Sequence, residues 1–90
     1  MALLTKKIWP EYFEDVASGK KKFELRLADF KAQVGDTLIL QEWDPQTKSY
    51  TGRELITKIT YLIKTKNLPF WAKSDIAQHG FQILQIDLKL

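Results

Sequence analysis

The spacing of apolar residues changes period across Gly19, and that change constrains the fold more than any other feature of the chain. Before it, Trp9, Phe13, Val16 and Ala17 recur at helical spacing and share one face. Pro10 suits a first helical position, and Glu11, Glu14 and Asp15 favour the N-terminal half of a helix dipole. Gly19 supplies the left-handed conformation that ends such a helix, which the period sizes at about three turns. After Gly19 the period is two. Phe23, Leu25 and Leu27 alternate with Lys22, Glu24 and Arg26. The spacing predicts a strand with Phe23, Leu25 and Leu27 in the core, and with a carboxylate flanked by two cations on the other face.

The remaining segments read mostly as strands. The chain up to Ile8 has strand character, and Ala28 to Gln33 is a connection. Val34-Gly35-Asp36 reads as a tight turn in which glycine supplies an unusual backbone angle. Thr37 to Trp43 is a strand with Leu38 and Leu40 opposite Ile39, Gln41 and Trp43. Asp44 to Gly52 is a polar connection that joins antiparallel neighbours. Arg53 to Ile63 is rich in β-branched residues and apolar on both sides, so it is covered on both faces or bent. Lys64 to His79 is irregular, with Phe70 and Trp71 as anchors and one helical turn over Ser74 to Gln78. Gly80 opens a last strand, Phe81 to Leu90, with Leu84, Ile86, Leu88 and Leu90 on one face. The fold class is mainly β with one early α-helix (α+β), in the order β-α-β-β-β-β. Residues 1–90 form a single domain. Five strands in so short a chain favour a closed or nearly closed barrel, because an open sheet exposes its edges. The helix then plugs one end or covers one face.

Several function classes are disfavoured. The chain has no cysteine and a single histidine, His79, so neither a disulfide framework nor a zinc site is expected, nor any other metal or cofactor. Its apolar runs are too short for a membrane helix. The charges at Lys6 and Lys7 follow the apolar N-terminal residues, the reverse of a secretory signal. A cytoplasmic monomer is the expectation. The net charge of +3 and pI of about 9.2 are compatible with a nucleic-acid partner.

The candidate site centres on Gly19 to Arg26. Lys21, Glu24 and Arg26 are the candidates for binding and for any catalysis. Their plainest alternative is an exposed ion-pair cluster contributing about 0–1 kcal/mol. Arg26 offers a planar fork for phosphate or a base edge. Lys21 sits beside the Gly19 turn, where backbone N–H groups could also receive an anion. Glu24 can hold the cations in place or accept from an exocyclic amine. Lys20 and Lys22 are electrostatic supports. Trp9, Tyr12, Trp43 and Tyr50 are candidate stacking surfaces, as are Phe70 and Trp71. Phe13, Phe23, Phe30 and Phe81 are assigned to core packing. Arg53 could clasp a phosphate, or could pair with Glu54, Glu42 or Asp44 and hold its turn together.

Gly19, Lys21, Glu24 and Arg26 match the Gly-x-Lys-x-x-Glu-x-Arg signature of ASCH domains, relatives of the PUA domain. Trp9 to Phe13, Ser18 to Lys21, Phe23 to Arg26, Val34 to Asp36, Tyr50 to Glu54 and Gly80-Phe81 resemble, in order, a small ASCH-like branch of bacterial and phage proteins. The resemblance implies a PUA-like barrel with a cleft beside the helix, lined by the signature residues. It also implies binding of RNA or of a nucleoside-like ligand. One ASCH branch is an amidohydrolase that uses a lysine and a hydroxyl three residues later; here that later position is Glu24. The alternatives are a small hydrolase acting on RNA or a modified nucleoside with Glu24 as general base, and a protein-interaction domain anchored through Leu68-Pro69-Phe70-Trp71.

Overall fold

Helix α1 (Pro10–Ala17) starts where Pro10 fixes the backbone at the first helical position, directly after Trp9 in an extended conformation. It is eight residues long, just over two turns and shorter than the sequence spacing predicts. Phe13 and Val16 are its buried residues, whereas Ala17 is exposed and Trp9 half-exposed. The chain leaves it through Gly19, at φ 85°, whose N–H donates to the Val16 carbonyl at 3.1 Å. The Lys21 N–H then donates to the Asp15 carbonyl at 2.9 Å. These two turn N–H groups are therefore used by the helix end and do not form an anion-binding nest.

The computed structural model of the chain describes residues 1–65, 78 and 80–89. Five strands accompany α1: β1 (Leu3–Ile8), β2 (Phe23–Leu27), β3 (Thr37–Asp44), β4 (Ser49–Lys64) and β5 (Phe81–Leu88). The element order is the one expected from sequence. The strands form one curled, half-barrel sheet in the order β1-β3-β4-β5-β2. β1 runs parallel to β3, and every other neighbouring pair is antiparallel. The two strands that flank α1 in sequence are thus the two edges of the sheet. Phe70, Trp71, His79 and nearly all of the expected turn over Ser74 to Gln78 lie outside the described residues.

The concave face holds the core: Ile8, Phe13, Val16, Ala32, Leu38, Leu40, Ile59, Leu84 and Ile86. Complete burial of a leucine or isoleucine such as Leu38, Leu40, Ile59 or Leu84 contributes about 1.5–3 kcal/mol. β4 stays on this curved surface by bulging twice. Against β3, its residues Thr51 to Arg53 face the single position Glu42. Against β5, one extra residue between Ile59 and Tyr61 flips the alternation, so that Ile59 points inward and Tyr61 and Ile63 outward. That is why both residue sets of this strand are apolar. The expected long connection from Asp44 to Gly52 is instead a four-residue hairpin loop, residues 45–48, with β4 starting at Ser49.

β2 reverses a sequence expectation. Phe23, Leu25 and Leu27 are 48%, 58% and 51% exposed, whereas Glu24 is only 3% exposed. The register with β5 decides this. Glu24 lies opposite buried Leu84 and Arg26 opposite buried Gln82, while Leu25 faces Ile83 on the outer surface. Directly opposed residues share a face, so β5, with Gln82, Leu84 and Ile86 inward, draws the charged set of β2 inward with it. Phe23 and Leu25 are therefore not core residues.

Candidate cleft between two sheet edges

Turning Glu24 inward requires compensation for its charge, and two signature cations provide it. Lys21 Nζ donates to Glu24 Oε1 at 2.7 Å, and Arg26 Nε donates to Oε2 at 2.9 Å. Both carboxylate oxygens are thereby bound by charge-assisted hydrogen bonds. The local chain makes this possible. The Lys21 backbone is pinned to the helix end, and Glu24 and Arg26 are two residues apart on one strand face. Lys21 Nζ also donates to the Phe23 carbonyl at 2.7 Å, and Arg26 Nη2 donates to the Lys7 carbonyl on β1.

Around this triad lies a cleft of about 660 Å³, bounded by the edges β1 and β2 and by the start of α1. Lys7, Ile8, Trp9 and Tyr12 line one side; Lys21, Phe23, Glu24, Leu25 and Arg26 line the other. Trp9 and Tyr12 are each about half exposed. Three cations, Lys7, Lys21 and Arg26, stand against one carboxylate, Glu24, so the cleft carries net positive charge beside aromatic and aliphatic walls.

The structure thus brings together five of the sequence candidates: Trp9, Tyr12, Lys21, Glu24 and Arg26. Gly19 is the helix-ending residue, and Lys20 is exposed outside the cleft lining. Trp43 and Tyr50 are cross-strand partners that lie beside the cleft: Lys7 Nζ sits 4.4 Å from the Trp43 ring centroid and 5.8 Å from that of Tyr50. Lys7, Ile8, Phe23 and Leu25 were not among the sequence candidates. Lys7 looked like one solubilising lysine among many, and Phe23 and Leu25 carried the pattern of a core face.

Arg53 serves a second buried carboxylate. Its Nε and Nη2 donate to Glu42 Oε1 and Oε2 at 2.9 and 2.8 Å, Thr51 Oγ1 donates to Glu42 Oε1 at 2.6 Å, and Arg53 Nη2 reaches Glu14 Oε2 at 2.7 Å. The β4 bulge delivers Thr51 and Arg53 to the same carboxylate. These hydrogen bonds, those from Arg53 first, hold the Glu42 carboxyl below its ordinary range; reciprocally, Glu42 and then Glu14 raise the Arg53 pKa. Asp36 is likewise lowered, chiefly because the Ala2 N–H donates to it, with help from the Gln33 N–H. Both are structural roles that tie α1, the hairpin and the N-terminal strand together. Among the described residues no group of three His, Asp or Glu side chains comes together as a metal-ligand set. Nor is any described helix long and apolar enough to cross a membrane.

A family model described as "Domain of unknown function (DUF3850)" matches residues 5–86. The "Uncharacterized 12.9 kDa protein in GpA 3'region" of Escherichia phage P2 is 35% identical over 86 residues, covering 93% of this chain and 74% of the phage protein. The crystal structure of hypothetical protein PH0355 matches with a TM-score of 0.69 at 18% identity, over 99% of this chain and 100% of that one, a likeness of fold alone.

Proposed function

This chain belongs to the DUF3850 family, and from the make-up of its cleft we propose that it binds RNA or a nucleotide derivative. One observation carries the reading: the net-positive Lys7, Lys21, Glu24 and Arg26 cluster shares its cleft with the half-exposed rings of Trp9 and Tyr12. Cations attract a phosphate, and exposed aromatic faces stack on bases. The resemblance of Gly19, Lys21, Glu24 and Arg26 to the ASCH signature supports the same ligand class. Binding is favoured over hydrolysis because both Glu24 oxygens already accept from cations, which suits a positioning carboxylate better than a general base.

The test is an NMR titration of the whole chain with short RNAs and a panel of nucleosides and nucleotides at two salt concentrations. Amide shifts at Lys21, Glu24 and Arg26, with affinity falling as salt rises, are the expected result. For two neutralised phosphates on a single strand, log K should fall with log salt at a slope of about −1.4. If no ligand moves these resonances at low salt, the reading fails.

A further inference from the structure

The two sheet edges that bound the cleft present backbone groups to it, and those groups differ in how they are satisfied. On β2, the Ile86 N–H donates to the Lys22 carbonyl and the Ala28 N–H to the Gly80 carbonyl. Antiparallel ladders alternate, so Lys22, Glu24, Arg26 and Ala28 turn their N–H and C=O toward β5, and Phe23, Leu25 and Leu27 turn theirs to the open edge. Within the cleft, the Phe23 carbonyl is taken by Lys21 Nζ, and the Lys7 carbonyl on the facing edge is taken by Arg26. Leu25 is left between them with a donor and an acceptor side by side, and no described residue hydrogen-bonds to either.

We propose that the N–H and C=O of Leu25 read the hydrogen-bonding edge of an unpaired nucleobase, an inference that rests on the nucleotide reading above. Every nucleobase carries a donor next to an acceptor on its pairing edge, complementary to the pair that Leu25 offers. Trp9 and Tyr12 supply ring faces in the same cleft, and the cations supply the phosphate contact. The ligand is therefore a nucleotide whose pairing edge is free, in a single strand or as a monomer, and not a duplex. An added peptide strand suits the edge less well. β2 has only five residues, and a ladder needs a run of free groups, whereas two edge carbonyls in the cleft are already capped by side chains.

The side chain of Leu25 is outside the core and its N–H is outside the ladder, so Leu25→Pro should delete the donor while leaving the sheet intact. The probes are four single-stranded RNA hexamers, each of one base type, the nucleoside 5′-monophosphates of the same four bases, a self-complementary RNA duplex, and a hexapeptide of alternating valine and threonine. In the unsubstituted chain, the Leu25 amide proton should shift downfield with the preferred hexamer and stay in place with duplex or peptide. Leu25→Pro should fold and weaken all four hexamers about tenfold, as expected for one lost hydrogen bond, with the salt slope unchanged. Leu27→Ala, outside the cleft, should leave all four affinities unchanged. Lys21→Ala should weaken all four hexamers alike and reduce the salt slope.

The inference is overturned if hexamers shift Lys21 and Arg26 but leave the Leu25 amide unmoved. It is also overturned if the duplex binds as well as the single strand, or if the peptide is what shifts Leu25. In the first two cases nucleic-acid binding at the cleft survives. If neither an RNA hexamer nor a nucleoside 5′-monophosphate of any of the four bases shifts any cleft residue, both readings fall together. The amide-shift readout decides the matter even where Leu25→Pro does not fold.

Discussion

Arg26 on β2 donates from its guanidinium to the backbone carbonyl of Lys7 on β1, so a single side chain spans the two open edges of the sheet. The same guanidinium holds Glu24 through Nε, and so couples the gap between the edges to the buried carboxylate. A lysine has one ammonium on a flexible stem and cannot present two donors in a fixed plane. Arg26→Lys should therefore leave the fold in place but loosen the cleft. Amide hydrogen exchange should quicken in β1 and β2 more than in β3 and β4, and affinity for single-stranded RNA should drop about tenfold or more. Uniform exchange across all five strands would show that the bridge does not couple the edges.

Glu24 is the charge around which Lys21 and Arg26 are arranged, and its neutral isostere separates positioning from attraction. Glu24→Gln keeps the shape but leaves a single acceptor oxygen, so one of the two bonds is lost and its cation faces an amide NH2, and it should cost about 1–3 kcal/mol of stability in chemical denaturation. It also raises the net positive charge of the cleft by one. Affinity for RNA at low salt should then rise while discrimination among bases falls, because the cations are no longer fixed. A fall in affinity for every sequence would instead mean that Glu24 itself contacts the ligand.

The outward set of β2 gives a direct test of the strand's orientation. Leu27 is half exposed and lies outside the cleft, so Leu27→Ser should change stability by no more than about 0.5 kcal/mol. Leu84, fully buried opposite Glu24, should cost about 2–5 kcal/mol on substitution by alanine. Comparable losses at the two leucines, measured by urea denaturation, would restore the orientation that hydrophobic alternation alone suggests.

That alternation shows what could and could not be read from the chain. Periodicity was enough to place the helix, its glycine terminator and the strands through Trp43, because each is a local preference. It also put Glu24 and Arg26, with Lys22, on one face, whereas Lys21 joined them only through the signature resemblance. It could not say which face of β2 is inward, since that depends on pairing with β5 nearly sixty residues later, and a one-residue slip reverses it. Nor could it show that Arg53 belongs to Glu42. The bulge opposite Glu42 is a property of two strands, and the sequence leaves Glu54, Glu42 and Asp44 as equal partners. Lys7 was missed for the same reason: nothing local distinguishes a lysine at an open sheet edge from one in bulk solvent.

Among the described residues, Glu42 and Asp36 are the carboxyls whose surroundings tie stability to acid pH. Both carboxyls are held below their ordinary values of 4.5 and 3.8, Glu42 by hydrogen bonds from Arg53 and Asp36 by the Ala2 N–H. Near and below those values the unfolded chain binds more protons than the folded one, so stability rises with pH through that window. The contribution is fully present above about pH 5 and is lost as pH falls through the folded-state values. Arg53, its pKa raised further above its ordinary value, stays a cation throughout and adds no slope there. Thermal melts followed by circular dichroism should show a flat Tm from pH 7 to about pH 5 and a steady decline below. Glu42→Gln should lower the plateau and flatten the decline, because one of the two depressed carboxyls no longer titrates. An unchanged acid slope in that variant would assign the slope to Asp36, and Asp36→Asn should then remove it.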